Sequence, residues 1–125
     1  MLRNEKGFTL IEIIAVLVIL GILAAVAVPK YLSLMDQARQ SAAQTAIAEV
    51  KARASNYYAS QTLSASAAPS DNTGVFASVT AAPDVGSDYT VVAAKEGTSD
   101  ITITVTSEKG TALTTNVIGT WYFPK

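Results

Sequence analysis

The chain has 125 residues, half of them hydrophobic, and a formal net charge of −1, a balance that offers no general attraction for nucleic acid. It contains no cysteine and no histidine, which excludes disulfides, thiolate catalysis, Cys-based metal sites and the commonest general base and metal ligand. The apolar residues crowd between Phe8 and Leu34, while the remainder is rich in Ala, Ser, Thr and Asp. That distribution predicts an anchor carrying one small polar head.

The leader "MLRNEKG" places Arg3 and Lys6 ahead of the apolar run, as a secretory signal does, yet no A-x-A cleavage site follows that run. Gly7 instead lies before it, so a cut there leaves the apolar segment on the mature chain. From Phe8 to Val28 the only charged side chain is Glu12. As a helix this run is about 30 Å long, the thickness of a bilayer core. "IIAVLVILGILAAVAV" shows no polar stripe, which predicts a membrane span rather than the core helix of a soluble domain. Lys30 and Arg39 follow the run, so the charge asymmetry that would set orientation is small.

A carboxylate at the centre of a membrane helix costs about 3 kcal/mol, and less near an end. Glu12 lies near the helix start, where the positive end of the dipole favours it. The sequence offers its charge no partner within the chain, so it either snorkels to the headgroups or meets a group on another molecule. Gly21 is a poor helix former, and Pro29 cannot donate to the carbonyl of Ala25. The stretch Gly21–Pro29 is therefore expected either to kink at Pro29 or to loosen once out of lipid. Gly21, Ala24, Ala25 and Ala27 are small enough to let neighbouring helices approach.

Residues 30–59 are free of Gly and Pro and read as an amphipathic helix with Tyr31, Met35, Ala38, Ala42, Ala46, Val50 and Tyr57 on one stripe, widened by Ile47 and Ala54. Residues 60–74, broken by Pro69 and Gly74, read as a loop without an N-x-[ST] sequon. Residues 75–125 read as an antiparallel β head. "VFASV" (75–79) is a weak strand, "YTVVAA" (89–94) a better one, and "KEGTSD" a turn. In "ITITVT" (101–106) the residues Ile101, Ile103 and Val105 face one way and the threonines the other. "SEKG" is a tight turn, followed by "TALTTNVI" and "TWYF", with Trp121, Tyr122 and Phe123 expected to seal the last strand against the helix. The fold class is α+β: a long N-terminal helix packed on a small sheet of three to four strands.

"KGFTLIEIIAVLVILGILAAVAVPKYL" resembles the N-terminal signature of type IV pilins and type II secretion pseudopilins. The match covers residues 1 to about 35, with Gly7, Phe8, Thr9, Leu10, Ile11 and Glu12 each following the family pattern. The resemblance implies a leader of residues 1–7 removed between Gly7 and Phe8 by a prepilin peptidase. It implies N-methylation of Phe8, a filament-core helix over 8–29, and assembly through Phe8, Thr9 and Glu12. In that role Glu12 pairs with the free amine of Phe8 on a neighbouring copy. It also implies loosening of Gly21–Pro29 in filaments, an inner-membrane assembly platform, and passage from the bacterial inner membrane, N-terminus cytoplasmic, to an extracellular pilus. The product would be a pilus subunit serving adhesion, motility or DNA uptake.

Three other readings compete. Major secretion pseudopilins carry a calcium loop of clustered acids, but Asp71, Asp84, Asp88 and Asp100 are scattered. A tip module capturing DNA or a surface would have to use Lys95, Lys109 and Lys125, which form no patch in sequence. An enzyme would have to use Lys51, Asp88, Lys95 or Glu108, none of which sits in a motif with a base and an orienting partner. No catalysis, metal or cofactor is expected.

Overall fold

The computed structural model describes residues 6–64, 68–81 and 88–124. Most of the leader, Asp84 and Lys125 lie outside these residues. The chain divides into two units, one ending at Met35 and the other beginning at Asp36.

The first unit is an extended lead-in followed by the start of helix α1 (Leu10–Ser64), which runs unbroken through Gly21 and Pro29. Every described residue up to Met35 is exposed, including Phe8 at 84%. The helix is long and apolar enough to cross a membrane. Its backbone groups are satisfied within the segment, which is what lipid demands. The carbonyl of Ala25 alone loses its usual donor, because Pro29 has no N–H.

In the second unit α1 is buried at Ala43, Ala46, Ile47, Val50 and Ala54. These recur at helical spacing, and the alanines keep that face shallow. The expected stripe is thus right from Ala46 onward but wrong before it: Tyr31, Met35 and Ala38 are exposed and Ala42 is half-buried. Burial starts at Ala43 and follows the neighbouring face of the helix. Three antiparallel strands pack there in the order β1 (Tyr89–Glu96), β2 (Asp100–Glu108) and β3 (Thr111–Tyr122). On the central strand β2, Ile101, Ile103 and Val105 are fully buried, as the alternation predicts.

Two expectations about the loop region are corrected. Helix α1 continues to Ser64 because Ser60, Thr62 and Ser64 donate their hydroxyls to the carbonyls of Tyr57, Tyr58 and Ser60, so the serine-rich run need not leave the helix. Residues 75–79 are not a strand but part of helix α2 (Thr73–Ala81). Val75 and Val79, four residues apart, are both buried, so packing overrides the β preference of valine. Asn72 is fully buried at the start of α2, where its carbonyl takes the Phe76 N–H at 2.8 Å and its amide donates to the Asp100 carbonyl at 2.8 Å.

Just before it, Asp71 Oδ1 accepts the Thr73 N–H at 2.9 Å. That bond, reinforced by the Thr73 side chain, holds the exposed Asp71 carboxyl below its ordinary range. A depressed folded-state value means that the bond's contribution is present at neutral pH. It is lost as pH falls below about 4 through the folded value, where the carboxyl protonates. Acid unfolding of an Asp71→Asn variant is accordingly expected to show a weaker pH dependence there than the parent.

The β2–β3 hairpin closes over Lys109 and Gly110, whose φ angles of 49° and 77° suit a two-residue type I′ turn. The residues after it form one strand rather than two. Val105 pairs with Val117 and Ser107 with Ala112, so Leu113–Asn116 bulge opposite Thr106, with Leu113 turned inward. Gly119 pairs with Ile103 beneath α1, and a Cβ there would collide with Cγ2 of Ile47. Gly119→Ala is expected to cost about 1–3 kcal/mol through overpacking, read as a lower urea midpoint; an unchanged midpoint would mean that Ile47 yields freely.

Trp121 is buried, with its Nε1 donating to Ser55 Oγ at 3.0 Å, and Phe123 is half-buried beside it. Tyr122, also expected to seal the strand, is instead 71% exposed, because neighbours on a strand face opposite ways.

Candidate functional site

The start of α1 is built by two residues that bond each other reciprocally. Thr9 N–H donates to Glu12 Oε2 at 2.8 Å, and Glu12 N–H donates to Thr9 Oγ1 at 3.3 Å. Ile13 N–H reaches the Thr9 carbonyl at 3.3 Å, which opens the helical ladder. This is a capping box, in which Thr9 is the cap and Glu12 the third helical residue. Two of the amides that a helix start leaves unsatisfied thereby gain partners.

The bonding adds a feature to the expectation: Glu12 has a hydrogen-bond donor in its own chain, the Thr9 amide, which is neutral and supplies no counter-charge. The signal is T-x-x-E immediately ahead of an apolar run, a spacing with this meaning. The box also places Gly7 and Phe8 before the helix, in exposed chain without regular structure, and nothing crowds Gly7. Gly21 is equally open, and both it and Pro29 are helical in this structure.

Four of the residues weighed for catalysis or DNA capture, Lys95, Lys109, Asp88 and Glu108, are engaged separately. Lys95 Nζ donates to Thr73 Oγ1 at 2.9 Å, Lys109 faces Asp88 at 4.0 Å, and Glu108 faces Arg39 Nε at 3.8 Å. Arg39 also faces Asp36 at 4.0 Å, so this group ties α1 to the end of β2. Among the described residues no group of three or more acids could hold a metal ion. Tyr57 and Tyr58 pack against the core, with the Tyr58 ring edge-on to Phe123 at 5.2 Å.

Comparison with known proteins bears on the same segment. The prokaryotic N-terminal methylation motif matches residues 2–28. The type IV narrow pilus major component of Thermus thermophilus is 41% identical over 86 residues, 69% of this chain and 70% of that protein. The chain belongs to the type IV pilin family. A fimbrial protein of Neisseria meningitidis is 39% identical over 85 residues, 68% of this chain and 46% of the relative. The type II secretion system core protein G of Pseudomonas aeruginosa is 49% identical over 55 residues, 44% of this chain and 39% of the relative. No solved structure matches the chain significantly. The pilin family's role is structural, and the α+β architecture with its long apolar helix accords with the pilin fold.

Proposed function

We propose that this pilin is made with a leader of residues 1–7, cut between Gly7 and Phe8, methylated on the Phe8 amine and polymerised through its N-terminal helix into a type IV pilus. The observation that carries this reading is that every residue of the largely apolar segment from Phe8 to Met35 is exposed, a surface that calls for lipid or other copies to cover it. In the membrane the segment spans the inner bilayer with its N-terminus cytoplasmic; in the filament, copies of the chain take the place of lipid. The partners are those copies, a prepilin peptidase and methyltransferase, and an inner-membrane assembly platform. The filament then serves adhesion, motility or DNA uptake.

Glu12 supplies the docking charge. The capping box occupies Oε2, while Oε1 can take the amine of Phe8 on a neighbouring copy. That pairing rewards docking, because an ion left without a counter-charge in lipid is the alternative. The loosening of Gly21–Pro29 belongs to the same step, since packed neighbours rather than lipid then surround its backbone.

A second reading, a pseudopilin of a type II secretion system, is favoured by the likeness to core protein G. That likeness covers a stretch no longer than α1, whereas 86 aligned residues with the pilus component necessarily extend beyond α1. The pilus reading is therefore preferred. Mass spectrometry of purified surface filaments tests it: an abundant chain beginning at N-methyl-Phe8 is expected. An intact Met1 leader on a chain confined to the membrane would sink the proposal.

A further inference from the structure

Where α1 starts decides which peptide groups ahead of it stay out of the helix. An α-helix bonds each N–H to the carbonyl four residues back. A helix begun one residue earlier would give the Glu12 N–H to the Phe8 carbonyl. Begun two residues earlier, it would also give the Ile11 N–H to the Gly7 carbonyl. Neither bond forms: the ladder opens with the Ile13 N–H on the Thr9 carbonyl at 3.3 Å, and α1 begins at Leu10. The Glu12 N–H goes instead to Thr9 Oγ1 at 3.3 Å, while Glu12 Oε2 takes the Thr9 N–H at 2.8 Å. Thr9 thus diverts the one donor that would carry the helix back to Phe8. Little else stops it there, since phenylalanine is an ordinary helix residue and Gly7 disfavours a helix without forbidding one.

The peptide group kept out is the one between Gly7 and Phe8. Hydrolysis adds water across it, leaving a carboxyl on Gly7 and a free amine on Phe8, and the atom attacked is the Gly7 carbonyl carbon. Inside a helix that carbonyl would be bonded to an amide and hemmed in by the next turn. In exposed chain it is open to a peptidase. Phe8 is exposed, and a Cβ on Gly7 would meet nothing within 4 Å.

We infer that the capping box positions this cut: Thr9 Oγ1, acting through the Glu12 N–H, holds the Gly7–Phe8 peptide outside the helix and at a fixed distance from its first turn. Loss of the cap lets the helix either run back over the bond or fray away from it, and the bond loses its place in both cases. This rests on the processing reading above. It makes Thr9 a positioning residue, with a task separable from the docking charge of Glu12.

Leader removal tests it, measured on the full chain in membrane vesicles containing a prepilin peptidase and followed by the mass lost with residues 1–7. Thr9→Val keeps the shape of threonine without the acceptor, and its kcat/KM is expected to fall about fivefold, the equivalent of a lost cap. Thr9→Asn abandons that shape but caps at least as well, and is expected to be cut at the parental rate. Glu12→Gln keeps the box without the charge and is likewise expected to be cut at the parental rate. A parental rate for Thr9→Val overturns the inference. So does a Thr9→Asn chain as slow as Thr9→Val, because the peptidase would then be reading threonine itself, and so does a slow Glu12→Gln chain, which would assign the effect to the charge. If the unaltered chain is not cut after Gly7, the processing reading fails and this inference with it.

Discussion

Glu12→Ala is expected to leave the chain inserted in the membrane and to cut filament formation by an order of magnitude or more. Insertion is driven by the apolar run, and removing a carboxylate from it makes lipid more favourable, if anything. Assembly loses the only charge in the run. The alanine variant also breaks the capping box, worth about 1 kcal/mol at a helix start, so a second substitution is needed to separate the two roles. Glu12→Gln keeps an oxygen for the Thr9 amide, since glutamine serves in such boxes as glutamate does, but abolishes the charge. If pairing with the Phe8 amine drives docking, both variants fail alike. If the cap alone matters, Glu12→Gln assembles normally and only Glu12→Ala fails. Thr9→Val completes the set, because it removes the Oγ1 acceptor while leaving charge and backbone donor in place; on the docking reading it assembles with only a modest loss. The readouts are sheared filaments on one side and carbonate-resistant membrane protein on the other.

The capping box also shows why local chemistry near Glu12 is only half legible in the sequence. A carboxylate in an apolar run is conspicuous, and its long-range meaning follows from what lipid does to charge. Its local bond depends on a spacing of three residues to Thr9, which the conspicuous charge overshadows. Strand β2 is legible because its alternation is strict and one face is buried. The turn is legible at Gly110, where glycine accepts a positive φ readily, but not at Lys109, which takes a positive φ without being glycine. Helix α2 is not: "VFASV" favours strands by composition, and only the burial of Val75 and Val79 against the rest of the head decides otherwise. The phase of the α1 stripe is hidden for a related reason. A helix rich in alanine presents small apolar residues on several faces, and which of them is buried is settled by where the sheet lies.

Without a disulfide, this head rests on that packing, and the largest stability effect is expected at its one tryptophan. Trp121 is 5% exposed and meets Tyr58 at 6.4 Å and Phe123 at 6.1 Å, and its indole N–H reaches across to Ser55 on α1. Trp121→Ala removes the ring that joins the last strand to the helix and is expected to cost about 3–5 kcal/mol. A domain of this size commonly has only about 5–15 kcal/mol in total, so the variant should unfold at much lower urea than the parent. Trp121→Phe keeps an aromatic body and forfeits the bond to Ser55, with an expected cost nearer 1–2 kcal/mol. Far-ultraviolet circular dichroism is the proper probe, because the substitution removes the only tryptophan fluorophore. A parental midpoint for Trp121→Ala would mean that the three rings merely decorate the end of the sheet. The expected ordering, with alanine far below phenylalanine and phenylalanine just below the parent, would make this aromatic cluster the main fastening of the last strand to the helix. The apolar helix is unchanged in both variants, so membrane insertion should persist even where the head has melted.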